Sequence, residues 1–340
     1  MPTPSPTQQP DPAAIFEITN SYQRSAALKA GIELELFTAI GEGNSTVEAL
    51  ARRCEATGRG IRILCDYLTI QGLLTKEGAQ YHLTPTAAAY LDQRSPSYIG
   101  TITRFMNSEL NITRFRDLAM AVRGHGHLLE RDGSAGHDNA PWVEFARSMA
   151  PMMALPAELL ARLVGAADGS SWRVLDIAAG HGLFGIAIAR RQPTAEIVAV
   201  DWPEVLDVAR ENAAKAGVTA RYLPLPGSAF DAAFGGSYDL VLLTNFLHHF
   251  DAETNHGLLR KVHAALKPGG RVAALEFVPN SDRVSPPAAA SFSLVMLAST
   301  GGGDAYTFAD LDRMFQSVGF THSELHPLPP SPESVVIATK

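Results

Sequence analysis

From Trp172 onward the chain switches between two hydrophobic periods. Short apolar runs bounded by glycine, proline or polar residues predict buried strands at Arg173–Ile177, Glu196–Val200, Ala220–Leu225, Tyr238–Leu243, Gly270–Glu276 and Ser334–Ala338. Longer stretches between them, with apolar residues three and four apart, predict helices at Leu183–Arg191, Glu204–Ala216, Ala252–Leu266, Pro287–Thr300 and Phe308–Val318. Regular alternation of strand and helix predicts a doubly wound α/β domain with a mostly parallel sheet. Its ligand site is expected in the crevice at the carboxyl ends of the strands.

Residues 15–98 carry a different pattern. Apolar positions at helical spacing predict a helix from Ile15 to Ala30 and a short one over Ile32–Phe37. Ser45 followed by Glu48 has the spacing of a capping box, with Ser45 as N-cap. Gly58–Leu68 predicts the next helix, and Gly72–Leu83 a hairpin around Glu77-Gly78. Helix, turn, helix and hairpin make a winged-helix layout, which often means DNA binding. Here Arg59, Arg62 and Asp66 alternate with Ile61, Ile63, Leu64 and Leu68. That is an amphipathic packing face with few groups left for phosphates.

Residues 99–165 predict a helical connector. Its middle, Gly124–Gly136, is glycine-rich and contains His125 and His127, with His137 close by. Without carboxylates arranged around them, these histidines read as part of a surface loop, and no metal site is expected. Trp142, Phe145, Met149, Met152 and Met153 follow at helical spacing. The proline- and threonine-rich start, 1–14, reads as a disordered tail. The predicted divisions are therefore 1–14, 15–98, 99–165 and 166–340.

Composition narrows the function. A chain of 340 residues with 46% hydrophobic content has room for two domains and a sizeable core. No apolar run approaches the ~18–20 residues that span a bilayer, and the start lacks the layout of a signal peptide. The two cysteines, Cys54 and Cys65, form no zinc-type spacing. A net charge of −7 argues against nucleic acid as a partner. A cytoplasmic protein away from membranes is expected.

The most informative stretch is Val174-Leu-Asp-Ile-Ala-Ala-Gly-His-Gly-Leu-Phe-Gly185, with Asp201 ending the following strand. A strand, a glycine turn, a helix and an acidic strand end describe a nucleotide cradle. Gly180 and Gly182 allow a tight turn, and Asp201 is placed to accept hydrogen bonds from ribose hydroxyls. The glycine spacing also fits a dinucleotide fingerprint. Asp176 just before the turn is a poor neighbour for pyrophosphate, and suits instead a cationic ligand with an amino-acid tail such as S-adenosylmethionine.

On these motifs residues 172–280 resemble the class I S-adenosylmethionine-dependent methyltransferases. Residues 15–338 resemble the small-molecule O-methyltransferases, the plant caffeate-type enzymes and their bacterial relatives. The resemblance implies a Rossmann-like methyltransferase domain preceded by a winged-helix dimerisation domain, and so a homodimer acting on a small-molecule acceptor. In that family the amino-terminal module covers the partner's active site, with the helix Ile15–Leu36 forming much of the interface. The cofactor would be held by Asp176, Ala178, Gly180, Gly182, Asp201 and Trp202. The later turn Gly227, Ser228, Ala229 and Phe230, together with Asn245, would complete that site. Ala178 stands where relatives usually have glycine, and the turn is expected to differ there, because alanine is comfortable only at negative φ.

The resemblance also implies the chemistry. In Asn245-Phe-Leu-His-His-Phe250, His248 matches the family's catalytic base, and His249 stands where an aspartate is usual. Glu276 matches the acid that buttresses the base, and parallel strand ends side by side make such a pairing geometrically sensible. The plant enzymes' second acid falls at Ala305, so Asp304 could replace it only if the loop shifts. Trp142, Phe145, Met149, Phe292, Met296 and Tyr306 are the candidate acceptor-pocket residues. Three other readings stay open at this point. They are methylation of sulfur or carbon without base catalysis, a winged-helix regulator, and a nicotinamide dehydrogenase.

Overall fold

The computed structural model describes residues 11–124, 139–166 and 169–340. The stretch carrying His125, His127 and His137 lies outside the described residues. The chain packs as two compact units, one up to Asn107 and one from Ser108.

The first unit is helical, with one hairpin formed by Leu74–Glu77 and Gln80–Leu83. The expected helix over Ile15–Ala30 is two helices, Ala13–Thr19 and Tyr22–Glu33. The break falls at Asn20, whose side-chain amide donates to the Phe16 carbonyl at 2.9 Å and so competes with helix continuation. No helix spans Ile32–Phe37, because Glu35 turns left-handed (φ 52°) and a new helix starts at Leu36. The N-cap expected at Ser45 is Thr46, whose Oγ1 accepts from the Ala49 amide at 3.3 Å. The Ser45 carbonyl is instead occupied by the Tyr81 amide of the hairpin. The core of the unit is apolar, with Leu36, Phe37, Leu50, Ile61, Leu68 and Tyr81 almost wholly buried. Arg62 and Lys76 both pair with Asp66, so neither charge is left for a phosphate. Ile15, Phe16, Ile18 and Tyr22 are more than 60% exposed, an apolar ridge in search of cover.

The second unit holds a seven-stranded sheet: β1 (Arg173–Ile177), β2 (Glu196–Asp201), β3 (Tyr222–Pro226), β4 (Tyr238–Thr244), β5 (Leu266–Glu276), β6 (His322–Pro327) and β7 (Ser334–Thr339). Their spatial order is β3-β2-β1-β4-β5-β7-β6, and β7 alone runs against the others. The helices of this unit include α1 (Glu109–Arg116), α2 (Ala140–Leu163), α3 (Leu183–Arg191), α4 (Pro203–Lys215), α5 (Ala252–Ala265), α6 (Phe292–Ser299) and α7 (Phe308–Ser317). Side chains alternate between two cores, as the two-residue period of a strand requires. Val174, Ala199, Leu242 and Leu275 pack toward α2 and α3. Leu175, Ile177, Val200 and Leu243 pack toward α5 and α7. A sheet buried on both faces explains why its strands read as nearly continuous apolar runs.

Two expectations need correction here. The helix expected over Pro287–Thr300 is interrupted at Ser291 and resumes as α6. Strand β6 was not expected at all. As an edge strand it keeps mostly polar, exposed side chains and shows no apolar alternation.

Candidate active site

The turn after β1 is built from left-handed residues: Ala178 (φ 53°), Gly180 (φ 56°) and Gly182 (φ 75°). Ala178 takes the left-handed conformation despite its Cβ, where a negative φ was expected of alanine. Asp201 clamps the turn, with Oδ2 accepting from the Gly180 amide at 2.8 Å and Oδ1 from the Trp202 amide at 2.7 Å. Burial pushes its carboxyl up to about 6, against the pull of those two N–H groups. Asp176 is fully buried, and its Oδ2 accepts from the Gly185 amide at 3.1 Å, satisfying the first turn of α3. Its Oδ1 has no partner among the described residues, and burial pushes this carboxyl up to about 7. Gly182 has no room for a side chain: a Cβ would lie 2.6 Å from the Tyr222 hydroxyl and 2.9 Å from Ala209 Cβ. Gly182→Ala should therefore cost about 2–4 kcal/mol by chemical denaturation, from left-handed strain and overpacking together. Tyr222→Phe in the same chain should recover part of that loss.

Below the turn lies a cleft partly open to solvent. Ala178, Gly180, Asp201 and Trp202 line one wall, and Gly227, Ser228, Ala229 and Asn245 another. Trp142 and Phe145 of α2 close it, with Met153 at the lining where the sequence pointed to Met149, which is buried on the same helix. Phe230 supports the wall from outside, packing edge-on against Phe250. The Ser228 hydroxyl accepts from the Phe230 amide at 3.2 Å and so shapes the turn.

At the carboxyl ends of β4 and β5, two buried side chains meet. Glu276 Oε1 accepts from the amides of Phe246 (3.0 Å) and Leu247 (2.8 Å), and Oε2 hydrogen-bonds His248 Nδ1. With one ring nitrogen held by the carboxylate, the imidazole orientation is fixed, and Nε2 is the nitrogen that can take a proton. The Phe292 ring meets the His248 ring edge-on at 4.8 Å and is itself stacked on Phe277 at 4.0 Å. Met296, one turn along α6, is buried.

A family model described as an O-methyltransferase domain matches residues 137–321, and one described as an O-methyltransferase dimerisation domain matches 16–93. The chain belongs to the O-methyltransferase family. It is 28% identical to the tetracenomycin polyketide synthesis 8-O-methyl transferase of Streptomyces glaucescens, over 91% of each chain. It is 27% identical to a 3-hydroxy-5-methyl-1-naphthoate 3-O-methyltransferase of Streptomyces sahachiroi, over 93% of this chain and 91% of that one. A crystal structure of a provisionally assigned O-methyltransferase from Nostoc punctiforme superposes with TM-score 0.93 at 49% identity, covering 98% of this chain and 100% of that one. The human N-acetylserotonin methyltransferase structure, at 23% identity and TM-score 0.84 over 99% of each chain, shares the fold.

Two further candidate residues are engaged by other partners. Asp304 pairs with Arg283 at 2.9 Å on the surface, rather than with His248. Ala305, at the family's second-acid position, is fully buried. Tyr306 gives its hydroxyl hydrogen to the Phe250 carbonyl, which ties it to the protein, and burial pushes its phenol up to about 12.

Sequence reasoning missed Glu333 and Lys261, and gave His249 no role in the site. Glu333 is 2% exposed, just before β7. Its Oε2 accepts from the Ser331 hydroxyl at 2.9 Å, and burial above all raises its carboxyl, with the nearby charges of Glu276 and His248 acting in opposite directions. The register that sets Glu276 opposite Ser334 brings it there, and only an acid directly before an apolar run hints at it. Lys261 fastens the later cofactor turn through the carbonyls of Ala229 (3.0 Å) and Ala232 (3.1 Å). His249 lines the cleft against Trp142, with Nδ1 buried and unpartnered among the described residues. Burial above all, and then His248 and Arg114, hold its imidazole well below the ordinary range.

Proposed function

We propose that this protein is a cytoplasmic, homodimeric enzyme that transfers methyl from S-adenosylmethionine to a hydroxyl of a small acceptor with an apolar or aromatic body. The observation that carries the reading is the buried His248–Glu276 pair at the strand ends, beside the Asp201 turn. The cofactor fits the residues present. Asp201 keeps lone pairs for ribose hydroxyls, Trp202 and Ala229 supply apolar walls, and the unpartnered Asn245 Oδ1 leaves acceptor capacity for a cationic tail. Bound S-adenosylmethionine supplies an electrophilic methyl group on a sulfonium. His248 takes the proton of the acceptor hydroxyl at Nε2, and Glu276 stabilises the imidazolium that results.

The exposed ridge of Ile15, Phe16, Ile18 and Tyr22, within the dimerisation-domain match, supports the dimer. Two buried free thiols, Cys54 and Cys65, accord with a reducing compartment. Among the described residues, no helix is long and apolar enough to cross a membrane, and no group of three or more His, Cys, Asp or Glu side chains is placed to hold a metal.

The test follows labelled methyl from S-adenosylmethionine into phenols, thioethers, amines and activated aromatic carbons. Label on phenolic oxygen is expected. Label only on sulfur or carbon would overturn the assignment of the acceptor atom. Sedimentation should give twice the 36.4 kDa chain mass.

A further inference from the structure

Glu333 is a buried acid for which the fold supplies no counter-charge. It is 2% exposed and stands immediately before β7. Its Oε2 accepts from the Ser331 hydroxyl, a neutral donor. Its Oε1 is shielded from solvent and has no partner among the described residues. No lysine or arginine among the described residues pairs with either oxygen. A buried carboxylate in this state is costly, and the cost falls when a cation comes within reach.

The strand ends place that acid at the His248 end of the cleft. The Asn245 amide donates to the Leu275 carbonyl at 2.8 Å, and Leu275 pairs with Val335, two residues after Glu333. Asn245 and Glu333 therefore flank the carboxyl end of β5, whose last residue is Glu276. Asn245 lines the cleft, and its Oδ1 is also buried without a partner among the described residues. The charges of Glu276 and His248 both reach Glu333. The lining itself offers no positive charge: it includes no lysine or arginine among the described residues, and burial holds the imidazoles of His181 and His249 below their ordinary range. Asp201 and Asp176 are tied to the glycine-turn end by backbone N–H groups. Two orphaned acceptors and one uncompensated negative charge thus stand where the methyl group is to be transferred.

We infer that Glu333 is a specificity-determining residue, which makes the cleft favour S-adenosylmethionine over S-adenosylhomocysteine by charge. The two molecules differ by one methyl group and one positive charge, both on sulfur. Methyl transfer to a hydroxyl at His248 requires that sulfur at the His248 end. Glu333 attracts the sulfonium there and has no such hold on the neutral thioether, so the spent cofactor leaves more readily than a fresh one. A buried charge acts over this range without direct contact, because screening inside a protein is weaker than in water. This rests on the methyltransferase reading of the same cleft, and the test separates the two.

The experiment is calorimetric titration of the full chain, without acceptor, with S-adenosylmethionine, S-adenosylhomocysteine and sinefungin. Sinefungin carries a protonated amine in place of the methylated sulfur. Wild type should bind the two cationic ligands at least ~10-fold tighter than S-adenosylhomocysteine, as one unit charge under interior screening implies. Glu333→Gln keeps the shape of the side chain and can still accept from Ser331. It should weaken both cationic ligands by about tenfold and leave S-adenosylhomocysteine within about twofold of wild type. Equal wild-type affinities for all three would overturn the inference. So would a loss in Glu333→Gln that all three ligands share equally, which is what a merely structural role produces. The wild-type comparison stands even if the glutamine variant does not fold. Failure of all three ligands to bind wild type would sink the methyltransferase reading itself, and this inference with it.

Discussion

His248→Ala is expected to lower kcat for hydroxyl methylation by about 10²–10⁴-fold, the range general-base catalysis contributes. Affinity for S-adenosylmethionine should change little, because the residue is held by Glu276 and Phe292 and is absent from the lining of the cofactor cleft. Glu276→Gln should lose rate by a similar mechanism, since an amide no longer fixes the tautomer or stabilises the imidazolium. Its Oε1 can still accept from Phe246 and Leu247, so the turn should hold. Steady-state kinetics on one phenolic acceptor decides the matter. A full rate in His248→Ala would reduce the ring to packing, which is the behaviour of an acceptor that has no proton to lose.

Asp201→Asn should weaken S-adenosylmethionine binding by about 100-fold, because charge-assisted hydrogen bonds are worth about 1.5–3 kcal/mol each. The amide must also turn one donor toward a site now filled by two acceptor contacts, those to Gly180 and Trp202. The same substitution carries a pH signature without ligand. Folding raises Asp201 from 3.8 to about 6 and Asp176 from 3.8 to about 7. Between those values the folded state holds more protons than the unfolded chain. The stability these groups contribute is full below about pH 4 and is lost as pH rises to about 7. Removing Asp201 should therefore improve the variant's thermal midpoint relative to wild type as the pH is raised through that window. The wild-type curve alone is ambiguous, because His181 has the opposite sign. Burial lowers it from 6.5 to about 4, so its contribution is present above 6.5 and lost as pH falls through 4. Parallel melting of both proteins from pH 4 to pH 7 tests this, and a constant difference would remove the proposed burial of the carboxylate.

The sheet was legible because its strands are buried on both faces, and burial writes itself as continuous apolar runs such as Val174–Ile177. Asp201 and the glycine turn were legible for a related reason: strand-end position and backbone freedom are local properties. What escaped was set by contacts distant in sequence or by exposure. Strand β6 is an edge, free of any demand for an apolar face. Glu333 comes near the His248–Glu276 pair only because β7 inserts beside β5, and nothing near position 333 records that neighbour. The loop with Asp304 and Tyr306 was read by alignment to a motif, yet Arg283 and the Phe250 carbonyl, both far off in the chain, decide where those side chains go.

Strand β7 is last in sequence among the seven, yet it lies inside the sheet, between β5 and β6. Translation runs from the amino to the carboxyl end, so every other part of the site leaves the ribosome before the strand that closes it. Until then β5 presents an open edge, and Glu276 and His248 lack the wall that Glu333 completes. Open edges pair with other chains, and incomplete domains are the species that chaperones and proteases meet. A message broken before Ser334 should thus yield material for degradation rather than a weakened enzyme, and the cell's methyl donor would be drawn on only by finished chains.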